Sequence, residues 1–328
     1  MSRALFVLLA LPGFSVAVSC GYSTHCRGDF DVENTASLEA IAKCESISGD
    51  LSFWMQDWLE FIDLPALEFV RSGMLVDGNN SLSSLEDLSS LVGVGRELTI
   101  SGNDTLTSLE GLFSLETVGT SLSISDNDSL TSLEGLSSLE AVGRFLTISD
   151  NNSLTSLDLY GLTTVRSSLI IDSNASLISL EGLASLGYVG MGLSISNNDS
   201  LTRLEELSSL ETVGGELSIS DNNSLTSLEG LSSLSSTGGS LFIGSNHSLT
   251  SLDGLAGVGS LRGRLRILNN HSLTSLEGLS NLDAVGMDLS IDNNRFICQS
   301  EAEAFAASIS VGGTVTVENN GSARTDCP

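Results

Sequence analysis

Three groups of residues recur at spacings that bear on chemistry. The first is acidic: Asp126, Asp150 and Asp221 directly before, and Asp128 and Asp199 directly after, an Asn at a fixed distance from a Leu-x-Ile motif, while Glu110, Glu134, Glu181, Glu205, Glu229 and Glu277 keep another position. Stacked turn upon turn, such oxygens suit a hard cation such as calcium. They do not converge, however. Adjacent carboxylates about 4.8 Å apart in water repel by only ~1 kcal/mol, so a solvated acidic edge stands without metal. The second group is His247 and His271, in the same position of successive turns. With no obvious third ligand, a surface pair is expected and no metal site is assigned. The third is what hydrolase or lyase chemistry needs, carboxylates beside Lys, Arg or His in one cleft. The chain has a single lysine, Lys43, and its acids follow the repeat instead of gathering. Glycine-rich phosphate loops are absent. These residues point to a non-enzymatic protein without a cofactor.

The elements that carry these columns are set by the repeat itself. Leu-x-Ile recurs at Leu98/Ile100, Leu122/Ile124, Leu146/Ile148, Leu169/Ile171, Leu193/Ile195, Leu217/Ile219, Leu241/Ile243, Leu265/Ile267 and Leu289/Ile291, with a step of 24 and once of 23. Degenerate copies at Leu51/Phe53, Met74/Val76 and Val315/Val317 bring the total to twelve turns. A period in the twenties with an alternating strand, then Asn, then leucines at three-residue spacing is a leucine-rich solenoid signature. The fold class expected is an all-β-rich leucine-rich repeat solenoid, akin to a right-handed β-helix, of about twelve turns with short capping helices. In Leu122-Ser123-Ile124-Ser125 the alternation sends Leu and Ile inward and the serines outward. Leu130, Leu133, Leu136, Leu139 and Val142 keep a tightly bent path on one narrow core. Gly135 and Gly143 are expected where φ is positive or a Cβ has no room. No single turn buries its own apolar edge, so both ends need caps.

An asparagine column follows the strand. Asn-x-Ser/Thr occurs at Asn79, Asn103, Asn127, Asn151, Asn174, Asn198, Asn222, Asn246, Asn270 and Asn320, each five residues after the first strand position. As glycosylation acceptors these would coat the protein. As a buried ladder, their amides would satisfy backbone groups at the bend, and a buried amide carries no glycan. The ladder is expected for Asn103 to Asn270, and only the outermost, Asn79 and Asn320, are considered as acceptors.

The ends differ from the middle. Residues 1–19, with Arg3, the apolar run Ala4 to Leu11, Pro12-Gly13 and small residues at Ala17 and Ser19, have the form of a signal peptide. The run is too short for a membrane span, and no second one follows. The cysteines lie only near the ends, at Cys20, Cys26, Cys44, Cys298 and Cys327. In an exported chain this suggests end staples, Cys26 with Cys44 and Cys298 with Cys327, leaving Cys20 over and open to lipidation. The domain division is then signal peptide 1–19, N-terminal cap 20–50, solenoid 51–297 and C-terminal cap with last strand 298–328. "NTASLEAIAKC" predicts a short helix burying Leu38 and Ile41, and "SEAEAFAAS" predicts a second, with a capping box from Ser300 to Glu303 and Phe305 as a lid. The net charge of −28 repels nucleic acid and anionic membranes.

"KCESISGDLSF", residues 43 to 53, resembles the opening of the receptor L domain of insulin-receptor and EGF-receptor ectodomains, and the LxIxxNxxLxxL turns that follow are similar as well. In composition the chain is closer to fungal cell-wall organisation proteins with long Ser-rich repeats of that type. The turns here are more numerous and more uniform than in the receptor domain. The resemblance implies an extracellular, non-enzymatic binding or wall-associated module, and the N-terminal disulfide of that domain agrees with a bonded Cys26.

Two function classes follow. One is a secreted or cell-surface recognition or adhesion module that binds a protein or glycan partner. The other is a structural surface solenoid, ice-binding or wall-building, whose device is the Ser/Thr array Thr99/Ser101, Ser123/Ser125, Thr147/Ser149, Ser194/Ser196 and Ser218/Ser220. That array is interrupted at Ile170/Asp172 and ends at Phe242/Gly244, which favours recognition. Where it ends, Phe242, Arg262, Arg264, Arg266 and Leu268 make a mixed apolar and cationic patch expected to bind an anionic partner.

Overall fold

The computed structural model describes residues 24–323, 325 and 327. Residues 1–19, expected as a signal peptide, and Cys20 lie outside the described residues. The chain winds into a β-solenoid-like stack of parallel strands in two 13-stranded sheets. Each coil contributes a two-residue strand to one sheet, such as Thr117–Val118, and, after the first coil, a four-residue strand, such as Leu122–Ser125, to the other. Neighbouring coils pair in phase, Leu122 with Leu98 and Leu146, Ile124 with Ile100 and Ile148, so identical side chains stack along the axis. The inward Leu and Ile of these strands are fully buried, whereas Ser123 and Ser125 are half-buried on the outside.

The stack has one coil more than the twelve the Leu-x-Ile motif marks. Phe30–Asp31 pairs with Leu51–Ser52, and His25–Cys26 pairs with Ser46–Ile47, so the segment taken for a cap already supplies the first rung. Phe30 and Val32 take the inward places there, an alternation too short to stand out from sequence alone.

Leucines every third residue match the 3.0 residues per turn of a 3₁₀ helix. Such helices occupy this arc in seven coils, Glu134–Leu136 among them. Gly135 and Gly143 keep ordinary φ, unlike Gly182 at φ 101; what they lack is room. A Cβ on Gly135 would fall on the carbonyl of Leu109, and one on Gly143 on the carbonyl of Gly119. Most positive φ falls in another column, immediately before the ladder position. It holds Gly78, Gly102, Asp126, Asp150, Ser173, Asn197, Asp221, Ser245, Asn269, Asn293 and Asn319, mostly Gly, Asp and Asn that tolerate the left-handed region, and Met55, a long side chain ahead of Gln56 that does not.

Helices close both ends. Helix α1, Thr35–Ile41, is N-capped by Asn34, whose side chain accepts the N–H of Ser37 at 3.0 Å, and it buries Leu38 and Ile41 as expected. Helix α2, Gln299–Ala307, starts earlier than Ser300. Its box is Cys298 and Glu301, with the Glu301 carboxylate accepting the Cys298 N–H at 3.1 Å, while Glu303 accepts from the Gln299 amide at 2.9 Å instead. Phe305 is partly buried against the core. Disulfides join Cys26 to Cys44 and Cys298 to Cys327, with Cα separations of 5.7 and 5.3 Å, so each end of the stack is stapled to itself. No helix among the described residues is long and apolar enough to cross a membrane.

Candidate functional site

The asparagine column forms one continuous internal ladder. The side-chain oxygen of Asn151 accepts both the backbone N–H and the amide of Asn127, each at 3.2 Å. The same Asn127 amide also reaches the carbonyls of Ile100 at 3.0 Å and Ser125 at 2.9 Å. Each asparagine therefore satisfies groups at the bend of the coil before it, and several, Asn127 and Asn151 among them, also a carbonyl of their own coil. Asn79 and Asn320, considered as glycan acceptors from their outer position, belong to this ladder too. Asn79 is 0% exposed and donates to Asn103, and Asn320 accepts from Asn294, so neither presents an amide to solvent. The ladder also includes Asn294, which Asn-x-Ser/Thr overlooks because Arg295 and Phe296 follow it; its place five residues after Leu289 identifies it. Glutamines finish the file. The Gln56 backbone N–H donates to Asn79 at 3.0 Å, and the Gln299 oxygen accepts from the Asn320 N–H at 3.2 Å.

Much of the acidic patterning has a structural task. Asp126, Asp150 and Asp221 occupy the positive-φ column. Asp128 and Asp199 lie one column beyond the ladder and accept amides from Asn152 at 2.8 Å and Asn223 at 2.7 Å. Among the described residues no three His, Cys, Asp or Glu side chains gather where they could hold a metal ion. His247 and His271 stack face to face, with ring centroids 4.4 Å apart and an angle of 1° between planes. Burial, with the charges of Arg295 and His247, holds His271 below the usual imidazole pKa.

The outer face of the long-strand sheet brings together most of the basic patch. Phe242 is in register with Arg266, and Gly244 with Leu268. The Phe242 ring lies over Gly244, where any Cβ would collide with it, and the Arg266 guanidinium sits 5.8 Å from the ring centroid, a cation–π contact. The Gly that ends the Ser/Thr array is thus the space the ring occupies. Arg264 pairs with Asp288 at 3.1 Å, and the Thr314 N–H together with Arg264 holds that carboxyl below its usual range. A shallow groove of about 310 Å³ runs between Arg264, Arg266, Ser290 and Thr316. Arg262 is exposed at the bend between the sheets, in the column that holds Gly119, Gly143 and Gly286, off the strand face. Ile170 and Asp172 stand between Thr147/Ser149 and Ser194/Ser196, so the hydroxyl array is broken in space as in sequence.

A second surface was not anticipated. In the coil that begins at Leu51, Trp54, Met55 and Phe61 are 55%, 63% and 55% exposed, and Trp58 is exposed as well. The Trp58 indole donates to the Gln56 oxygen at 2.7 Å, and the Gln56 amide donates to the Trp54 carbonyl at 2.6 Å, so the stretch is fixed as one unit. Between this coil and α1 is a hollow of about 310 Å³, lined by Leu38, Glu39, Trp58, Glu60, Phe61 and Asp63 among others. The signal was present in the chain's only two tryptophans lying four residues apart. No family model matches this chain, and comparison with curated proteins finds no match either.

Proposed function

We propose that the chain is an extracellular, non-enzymatic recognition module, a leucine-rich solenoid of the receptor L-domain type, that binds an anionic protein or glycan. The site is the outer face of the long-strand sheet around Phe242, Arg266 and Leu268, with Arg264 at its edge and Arg262 on the neighbouring bend. The observation that carries this reading is the matched set Phe242, Gly244 and Arg266. Chance drift in one coil would alter positions independently, whereas here the glycine makes room for the ring and the ring supports the cation. Aromatic and Arg anchors of this kind dominate binding surfaces, and Arg264 and Arg266 attract an anionic group at short range, against the overall field of a chain whose net charge is −28. Two disulfides suit an oxidising compartment.

The test is capture from extracellular-matrix extract on immobilised protein. Phe242→Ser combined with Arg266→Glu should abolish capture of the partner with little change in melting temperature, while Ser194→Arg on the same face should leave it intact. Undiminished capture by the double variant removes this site.

A further inference from the structure

We propose that the Leu51 coil and α1 form a second docking site, of opposite charge preference, for a basic and apolar segment of a partner protein. Three independent observations meet there. First, the exposed Trp54, Met55, Trp58 and Phe61 lie close together in one stretch of a single coil, whereas exposed apolar residues elsewhere stand alone, as Phe113 does, or are spread along a coil, as Ile178, Tyr188 and Met191 are. Exposed single apolar residues are ordinary, but a contiguous patch marks an interaction surface. Second, Met55 holds φ 53 in a column otherwise filled by Gly, Asp, Asn and Ser, and its side chain, lying over Gly78, remains largely exposed. A long apolar side chain in the left-handed region is strain that the fold bears without gaining burial, and such strain gathers at ligand sites.

Third, the hollow beside the patch is edged by the exposed carboxylates of Glu39, Glu60 and Asp63. Among the described residues the ion pairs are Arg203–Glu205 and Arg264–Asp288, so none of these three has a cationic partner among the described residues. Aromatic faces of Trp58 and Phe61 beside carboxylates suit a Lys or Arg head, held by cation–π attraction and charge together. Trp54 and Met55 extend the apolar surface beyond the hollow, which calls for apolar side chains flanking the cation. The overall charge of −28 steers such a segment in and repels an acidic one.

Both tryptophans of the chain lie in the patch, so intrinsic tryptophan fluorescence of the whole protein reports this site alone. Titration with a synthetic peptide alternating Lys and Leu should give a saturable change, and its Glu-Leu counterpart none. Glu60→Gln with Asp63→Asn should weaken the peptide by about tenfold or more, the scale of a desolvated cation–π and charge contact. Glu134→Gln with Glu229→Gln, which removes the same charge far along the stack, should change it little. Absence of a saturable signal, equal binding of the Glu-Leu peptide, equal loss in the two neutralised pairs, or saturation by an uncharged oligosaccharide in place of the peptide would each overturn the proposal. Phe242→Ser with Arg266→Glu should leave this titration unchanged, so the two sites stand or fall separately.

Discussion

The coil from Leu122 to Phe145 and the coil from Leu51 to Gly73 have the same interior and different exteriors. Inside, Leu122, Ile124, Leu130, Leu133, Leu136, Leu139 and Val142 correspond to Leu51, Phe53, Leu59, Ile62, Leu64, Leu67 and Val70, all of them buried. Outside, the first coil shows serines, acids and a single exposed aromatic, Phe145, where the second shows two tryptophans, a methionine and two phenylalanines, Phe61 and Phe69. Every inward side chain must fit two neighbouring coils at once, and at interior packing density a misfit of one methylene is felt. An outward side chain has no such obligation. Departures on the outside therefore carry information that the interior cannot.

The comparison can be broken at its tightest point first. Gly135→Val forces a side chain onto the Leu109 carbonyl and should cost about 3 kcal/mol or more. Gly259→Ala, whose added Cβ would meet nothing closer than 3.8 Å, should stay within about 0.5 kcal/mol, both read from urea midpoints. Equal losses would mean that coil contact does not set the glycines. Next, Asn151→Ala strands the buried Asn127 N–H and leaves the Ile124 carbonyl without its amide donor, and should cost about 1 to 3 kcal/mol, against about 0.5 kcal/mol or less for Ser149→Ala on the outside of the same coil.

The outside can be tested for strain. Met55→Asn should raise stability by about 1 kcal/mol, because Asn tolerates the left-handed region that Met resists. The same change should weaken the Lys-Leu peptide, a trade of stability against binding that Asp126→Asn in the regular coil should not show. The smallest effect is that of acid on the stacked histidines. His271 binds a proton less readily in the fold than at its ordinary value of 6.5, so protons favour the unfolded chain as pH falls through 6.5. The melting temperature should decline gently below that value and level off once the folded-state imidazole is charged. His271→Asn should flatten this step. Asp172 offers a separate window. Burial raises its pKa, but hydrogen bonds from Ser196, Asn197 and Ser173 outweigh it and leave the group depressed, so its contribution is present above pH 3.8 and lost further into acid.

What could be read from residues alone follows the same division. The strand alternation, the three-residue leucine spacing and the asparagine column were legible because burial repeats them in every coil. The first rung escaped notice because Phe30-x-Val32 lacks the Leu-x-Ile form, and Asn294 because the column was sought through Asn-x-Ser/Thr. The box at Cys298 and Glu301 was placed two residues late, since Ser300 offers a better capping side chain than a cysteine whose place is set by its bond to Cys327. The positive-φ column was hidden in an acidic pattern, because Asp serves that backbone as readily as it serves a metal. The Trp54 to Phe61 surface obeys no period at all, and only the exposure of its side chains separates it from core.

The ladder also determines how such a chain can change length. The joint between Asn127 and Asn151 is the same as every other, so removing one full repeat, for instance residues 127–150, would bring Asn103 against Asn151 with the same bonds. The protein is in this sense a ruler graduated in whole coils. The two coils of 23 residues lose theirs in the arc, between Ile62 and Leu64 and between Leu157 and Leu159, where the leucine spacing shrinks by one. At the second of these, Asp158 takes φ 54, its carboxylate accepting from Ser132 at 2.7 Å and Ser156 at 2.6 Å. Slack is taken up in the arc, and the graduations along the asparagine file stay evenly spaced.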